Sequence, residues 1–180
     1  MTAFVEDDIR ELLDELGARL EAVGRRASVY VFGGSALALM RLRGRSTEDI
    51  DVVSRDWAEL VDVVGEMALD YDLPSDWMNV KGAGFAVGSE GDADAVTFAT
   101  GGLTVRVASG RHLLAYKLRA ARVSDEADIQ HLLDDLGVRS VADAVTIARS
   151  VVGDDPVPDL DYDDLALYLG RYRIVGDPTV

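Results

Sequence analysis

Between residues 29 and 53 the chain reads VYVFGGSALALMRLRGRSTEDIDVV, and the order of its parts constrains the fold more than any other stretch. An apolar strand (Val29, Tyr30, Val31, Phe32) runs into Gly33, Gly34 and Ser35. A helical run with Ala36, Leu37, Leu39, Met40 and Leu42 follows. Then come a basic turn (Arg43, Gly44, Arg45, Ser46, Thr47) and the segment Asp49, Ile50, Asp51, Val52, Val53. Side chains alternate between the faces of a strand, so aspartates at i and i+2 project to the same side. A glycine turn that opens a helix presents unpaired backbone N–H groups to an anion. Glycine there also leaves the backbone open to close approach. Alone, a glycine pair is usually a turn and an Asp-x-Asp triplet a surface pattern. Their order between two apolar strands is what restricts the reading.

The rest of the chain supplies the layers around that segment. Ile9, Leu12, Leu13, Leu16, Leu20 and Val23 recur at helical spacing, which predicts an amphipathic helix over 7–23 with acids at its N-terminal end. A second helix is expected over 57–71, with Leu60, Val61, Val64, Met67 and Ala68 inward and Pro74 beyond its end. The run LPSDWMN reads as one turn around Trp77 and Met78, and residues 85–87 as a short strand among glycines. Alternation across 95–99 and 103–108, joined by Thr100, Gly101 and Gly102, predicts a hairpin. Helices capped by Ser109, Ser124 and Ser140 follow, the second closed by Gly137. After an acidic linker with two prolines over 153–158, a last helix is expected over 161–172. The fold class is α/β (α+β): a mixed β-sheet flanked by helices, with a helical C-terminal half.

The 180 residues carry a net charge of −15, which disfavours a general nucleic-acid coat, since phosphate affinity comes mainly from Lys and Arg. Local basic clusters remain, one at Arg41, Arg43 and Arg45 and another at Arg111, Lys117, Arg119 and Arg122. The acidic excess serves solubility and leaves room for a basic partner protein. With no cysteine, disulfides and thiolate metal sites are excluded. His112 and His131 lack metal-ligand spacing. No window approaches the length of a membrane span, and the acidic N-terminus does not read as a secretory signal, so a cytoplasmic protein with no membrane partner is expected.

The chemistry follows from the donor types. Mg²⁺ or Mn²⁺ takes oxygen ligands, commonly one or two carboxylates plus phosphate oxygens. Asp49 and Asp51 meet that need, the turn at Gly33, Gly34 and Ser35 offers phosphate donors, Arg45 can neutralise phosphate charge, and Thr47 can orient the loop.

These residues resemble the nucleotidyltransferase superfamily of the DNA polymerase β type, whose pattern is GG or GS, a helix turn, then DxD. The arrangement looks most like the AbiEii-type and related proteins of bacterial toxin–antitoxin systems. The matching positions are Gly33, Gly34, Ser35, Ala36, Leu37, Ala38, Arg45, Thr47, Asp49, Ile50 and Asp51, with a second stretch over 113–137. The similarity spans roughly residues 28–137. It implies a nucleotidyltransferase-like domain over 1–137 with a helical extension over 138–180, divalent-metal binding, and a nucleoside triphosphate as substrate. It also implies that Lys117 lies towards the nucleotide, and that the acceptor is a tRNA end or a partner toxin. Active members add a third carboxylate from a later strand; here that strand reads AVTFAT, which leaves Asp94, just before it, as the candidate. The other reading is a module of the same fold that binds nucleotide or a partner protein without catalysis.

Overall fold

The computed structural model describes residues 3–40, 46–153, 167–172 and 174. The chain divides into two compact units, Met1–Ala86 with Ala93–Ala108, and Val87–Asp92 with Ser109–Val180.

The first unit holds a helix α1 (Glu6–Ala22), strand β1 (Ala27–Val31), helix α2 (Gly33–Leu39), strand β2 (Ile50–Val53), helix α3 (Trp57–Asp70), and strands β3 (Met78–Asn79), β4 (Val96–Thr100) and β5 (Leu103–Val107). The strands form one sheet in the order β3-β2-β1-β5-β4. β1 pairs parallel with β5 and β2 parallel with β3, whereas β1–β2 and β4–β5 are antiparallel. The sheet is therefore mixed and the fold α+β. Among the described residues no helix is long and apolar enough to cross a membrane.

Helix α1 forms because its apolar residues fall on one stripe, and Ile9, Leu13, Leu16 and Leu20 are all fully buried. Each such burial is worth roughly 1.5–3 kcal/mol, an upper estimate. The helix packs on β4 and β5, and the approach is close enough that residue 17 must be glycine. A Cβ there would sit 2.0 Å from the Thr100 carbonyl oxygen. The hairpin is fastened at the same point, with the Gly102 N–H donating to the Gly17 carbonyl at 2.8 Å. Val23, assigned by its spacing to the inner stripe, is 61% exposed because the helix has already ended.

Helix α3 turns Val63 inward instead of Val61, which is 49% exposed; the other four expected core residues are buried. Trp77 is fully buried, and its indole N–H donates to the Val64 carbonyl at 3.0 Å. That anchor holds the following residues in extended form, and the Ile50 N–H donates to the Trp77 carbonyl at 2.7 Å. The run expected to be one turn makes that turn over 74–77, where the Trp77 N–H donates to the Pro74 carbonyl at 3.0 Å, and then continues as the short edge strand β3. The strand expected over 85–87 is absent, and a 3₁₀ turn occupies Ala83–Phe85.

The second unit contains α4 (Gly110–Ala120), α5 (Glu126–Asp135) and α6 (Val141–Val152), with α4 packed against both others. Ser109 and Ser140 cap α4 and α6 through side-chain acceptors. Ser124 does not cap α5; a 3₁₀ turn at Val123–Asp125 precedes it, and Asp125 holds the cap position. Gly137 closes α5 with a positive φ of 63°. Asp92 is pinned to the start of α4, accepting the Ser109 N–H at 2.9 Å and lying 3.2 Å from His112 Nδ1. Residues 161–166 of the last expected helix lie outside the described residues, and 167–169 are helical.

Candidate active site

The sheet brings the glycine turn and the aspartates together at the C-terminal end of β1. β2 runs antiparallel beside β1, with Val31 opposite Val52, so Asp51 reaches the turn that begins at Phe32. The Phe32 N–H donates to the Asp51 carbonyl at 3.1 Å and ties turn to strand. Gly33 has φ of 67°, a left-handed conformation that only glycine adopts without strain. A Cβ at Gly33 would lie 2.9 Å from Asp51 Oδ2. On the other side, a Cβ at Gly82 would lie 3.3 Å from Asp51 Oδ1 and 3.0 Å from the Phe32 ring. Each oxygen of the Asp51 carboxylate is thus fronted by a glycine.

Gly34 serves the neighbouring loop. Its missing Cβ would meet Thr47 Oγ1 at 2.9 Å. Thr47 exchanges backbone hydrogen bonds with Phe4 at 2.7 and 2.9 Å, and its hydroxyl donates to the Asp49 carbonyl at 3.0 Å. The residue that orients the loop leading into the aspartates is therefore fastened at both ends. Asp49 lies in a bend just before β2, not on the strand itself. Its Oδ2 accepts the Asn79 side-chain N–H at 2.9 Å.

Ser35 is 1% exposed, and its hydroxyl donates to the Phe32 carbonyl at 2.9 Å. The hydroxyl is committed within the chain, so the turn presents first-turn backbone N–H groups, which have no intrahelical acceptor. Arg45 lies outside the described residues.

Two further candidates, Asp94 and Lys117, have the following surroundings. Asp94 is an exposed turn residue before β4, the edge strand, whereas Asp51 is on β2. Two strands separate β4 from β2, and three steps of about 4.8 Å place them roughly 14 Å apart. Among the described residues no three of His, Cys, Asp and Glu converge as a metal site. On β4 itself Val96 is 64% exposed. Lys117 belongs to the second unit and is 8% exposed. Its ammonium is held 2.8 Å from part-buried Asp125 Oδ1 and 2.9 Å from buried Asp128 Oδ2, an ion triad that also takes it out of the basic surface cluster.

Sequence reasoning missed Asn79, Lys81 and Gly82. Asn79 is 5% exposed and bonded at both ends of its amide, donating to Asp49 and to the Asp76 carbonyl and accepting the Lys81 N–H at 2.9 Å. The ammonium of Lys81 is held above the ordinary lysine range, first by its hydrogen bond to Asp76 and further by the charges of Asp49 and Asp51. A buried Asn beside a fully buried Trp was the available signal, but only the pairing of β3 with β2, Asp51 opposite Asn79, gives it meaning.

A strand–glycine turn–helix unit met by one aspartate on the next strand and another in the bend just before it, in a mixed sheet, defines a protein of the nucleotidyltransferase class. The chain belongs to the family described as nucleotidyltransferase of unknown function (DUF6036), whose model matches residues 8–155. No curated protein and no solved structure matches it.

Proposed function

We propose that the protein binds a nucleoside triphosphate with Mg²⁺ or Mn²⁺ at Asp49 and Asp51, and transfers the nucleoside monophosphate group to an RNA or protein acceptor. The observation that carries this is the flanking of the Asp51 carboxylate by Gly33 and Gly82, which brings two stretches of backbone without side chains against its two oxygens. Paired carboxylates are the hard oxygen donors a divalent cation takes, so the residues fit the ion. When bound, such an ion neutralises phosphate charge at the reacting phosphorus. The chain's own part is to hold and orient: Asn79 fixes Asp49, Thr47 fixes the loop before it, and the N–H groups opening α2 receive phosphate oxygens. In the transfer, an acceptor hydroxyl oxygen bonds the α-phosphorus, the α–β phosphoanhydride bond breaks, pyrophosphate leaves, and the hydroxyl proton passes to solvent.

The net charge of −15 favours a protein acceptor over tRNA, and a partner toxin in a toxin–antitoxin or defence setting fits that preference. A second reading, nucleotide or partner binding without transfer, draws on the position of Asp94 on the far side of the sheet from β2. Incubation with Mg²⁺ and each labelled triphosphate, alone, with tRNA and with the product of the adjacent gene, separates the two. Label transfer that disappears in Asp49→Ala and Asp51→Ala is the expected result. Metal-dependent nucleotide binding without transfer selects the second reading, and absence of both overturns the site.

A further inference from the structure

The chain after β3 wraps the two carboxylates and carries a lysine between its fastenings. On one side, Asn79 is bonded to Asp49 and accepts the Lys81 backbone N–H at 2.9 Å. On the other, Gly82 brings the backbone against Asp51 Oδ1 and the Phe32 ring. The Lys81 side chain is 70% exposed, and its ammonium rests on Asp76, itself 52% exposed, at 2.5 Å. An exposed lysine–carboxylate pair is weak in net terms, because water competes and side-chain entropy is lost. Lysine is also a point charge on a flexible stem, able to change partners without moving the backbone. A triphosphate offers more charge and more acceptor oxygens than one carboxylate, and charge-assisted hydrogen bonds to phosphate are the stronger kind.

We propose that Lys81 is a substrate-contacting residue that leaves Asp76 for the phosphate oxygens of a nucleoside triphosphate held at Asp49 and Asp51, with Asn79 as the positioning residue that fixes its turn. Asp76 is then a placeholder that competes with the substrate. This rests on the reading of Asp49 and Asp51 as the metal–nucleotide site.

Calorimetric titration of the full chain with ATP and with AMP in the presence of Mn²⁺, alongside Mn²⁺ alone, tests it. Lys81→Gln is expected to weaken ATP binding about tenfold, a loss of roughly 1.4 kcal/mol in binding free energy, while AMP and Mn²⁺ alone bind as to the wild type. Lys81→Arg keeps most of the ATP affinity, and Asp76→Asn raises it several-fold by removing the competitor. The side chains of residues 76 and 81 are exposed, so a denaturation curve matching the wild type confirms that these variants fold. Wild-type ATP binding that is unchanged in both Lys81→Gln and Asp76→Asn overturns the role of Lys81 and leaves the Asp49–Asp51 site standing. Failure of the wild type to bind Mn²⁺ with ATP overturns that site, and this inference with it.

Discussion

Each compact unit sets a lysine near a pair of aspartates, and the two groups are built in opposite ways. In the second unit Lys117 is sealed between Asp125 and Asp128, with side-chain exposures of 10, 17 and 9% and both contacts under 3 Å. In the first, Asp49 and Asp51 are half-buried just before and on β2, beside the edge strand β3, and Lys81 extends from the adjoining turn into solvent. Burial decides what each can do. A buried cation with two carboxylates has lost its hydration and depends on its partners, so it is committed to holding α4 against α5. A half-buried carboxylate pair beside an exposed cation keeps enough solvation to exchange partners, as a binding site requires. The residue types alone therefore do not distinguish the two groups; their desolvation does.

Four substitutions break or sharpen that contrast. Lys117→Met has the largest expected effect, about 3–5 kcal/mol in urea unfolding, because buried Asp128 and part-buried Asp125 lose their cation. Replacing all three members with apolar residues of similar volume recovers most of that loss, since removing a whole buried ion group is often neutral. At the open site, Gly33→Ala is expected to cost about 1–3 kcal/mol, as a Cβ there meets Asp51 and imposes a positive φ on alanine. Thermal or urea unfolding measures it, and nucleotide binding is lost in parallel. Asn79→Ala weakens Mn²⁺ affinity about 10–100-fold by releasing Asp49, the usual consequence of removing a group that orients a ligand. The smallest effect on stability belongs to Lys81→Gln, whose unfolding midpoint matches the wild type at moderate salt, in direct contrast with Lys117→Met.

Much of the first unit was legible in the sequence because its signals are local. The 3.6-residue spacing that marks α1 and α3 and the Thr100–Gly101–Gly102 turn that marks the β4–β5 hairpin are properties of short windows. What the sequence hid depends on distant partners. β3 is two residues long and has no alternation of its own; it exists because β2 supplies its hydrogen bonds and Trp77 is anchored on α3. The inward turn of Val63 in place of Val61 reflects tertiary packing, not spacing. At the site, Gly33, Gly34, Thr47, Asp49 and Asp51 were readable because they are close in sequence, and the structure sets them around one turn. Asn79, Lys81 and Gly82 reach the same place only through the sheet. The two carboxylates that hold Lys117 were hidden for a related reason, since they are carried by the next helix and its approach, and nothing in its own helix reveals them.

The central claim is that the Asp49–Asp51 pair receives a divalent ion together with a nucleoside triphosphate. Electron paramagnetic resonance of Mn²⁺, titrated into the wild type and into Asp51→Asn with and without ATP, addresses it directly. The account predicts bound Mn²⁺ in the wild type, tightened by ATP, and a loss of about tenfold or more in Asp51→Asn, at least 1.4 kcal/mol of binding free energy. Equal Mn²⁺ and ATP binding by wild type and Asp51→Asn would contradict it.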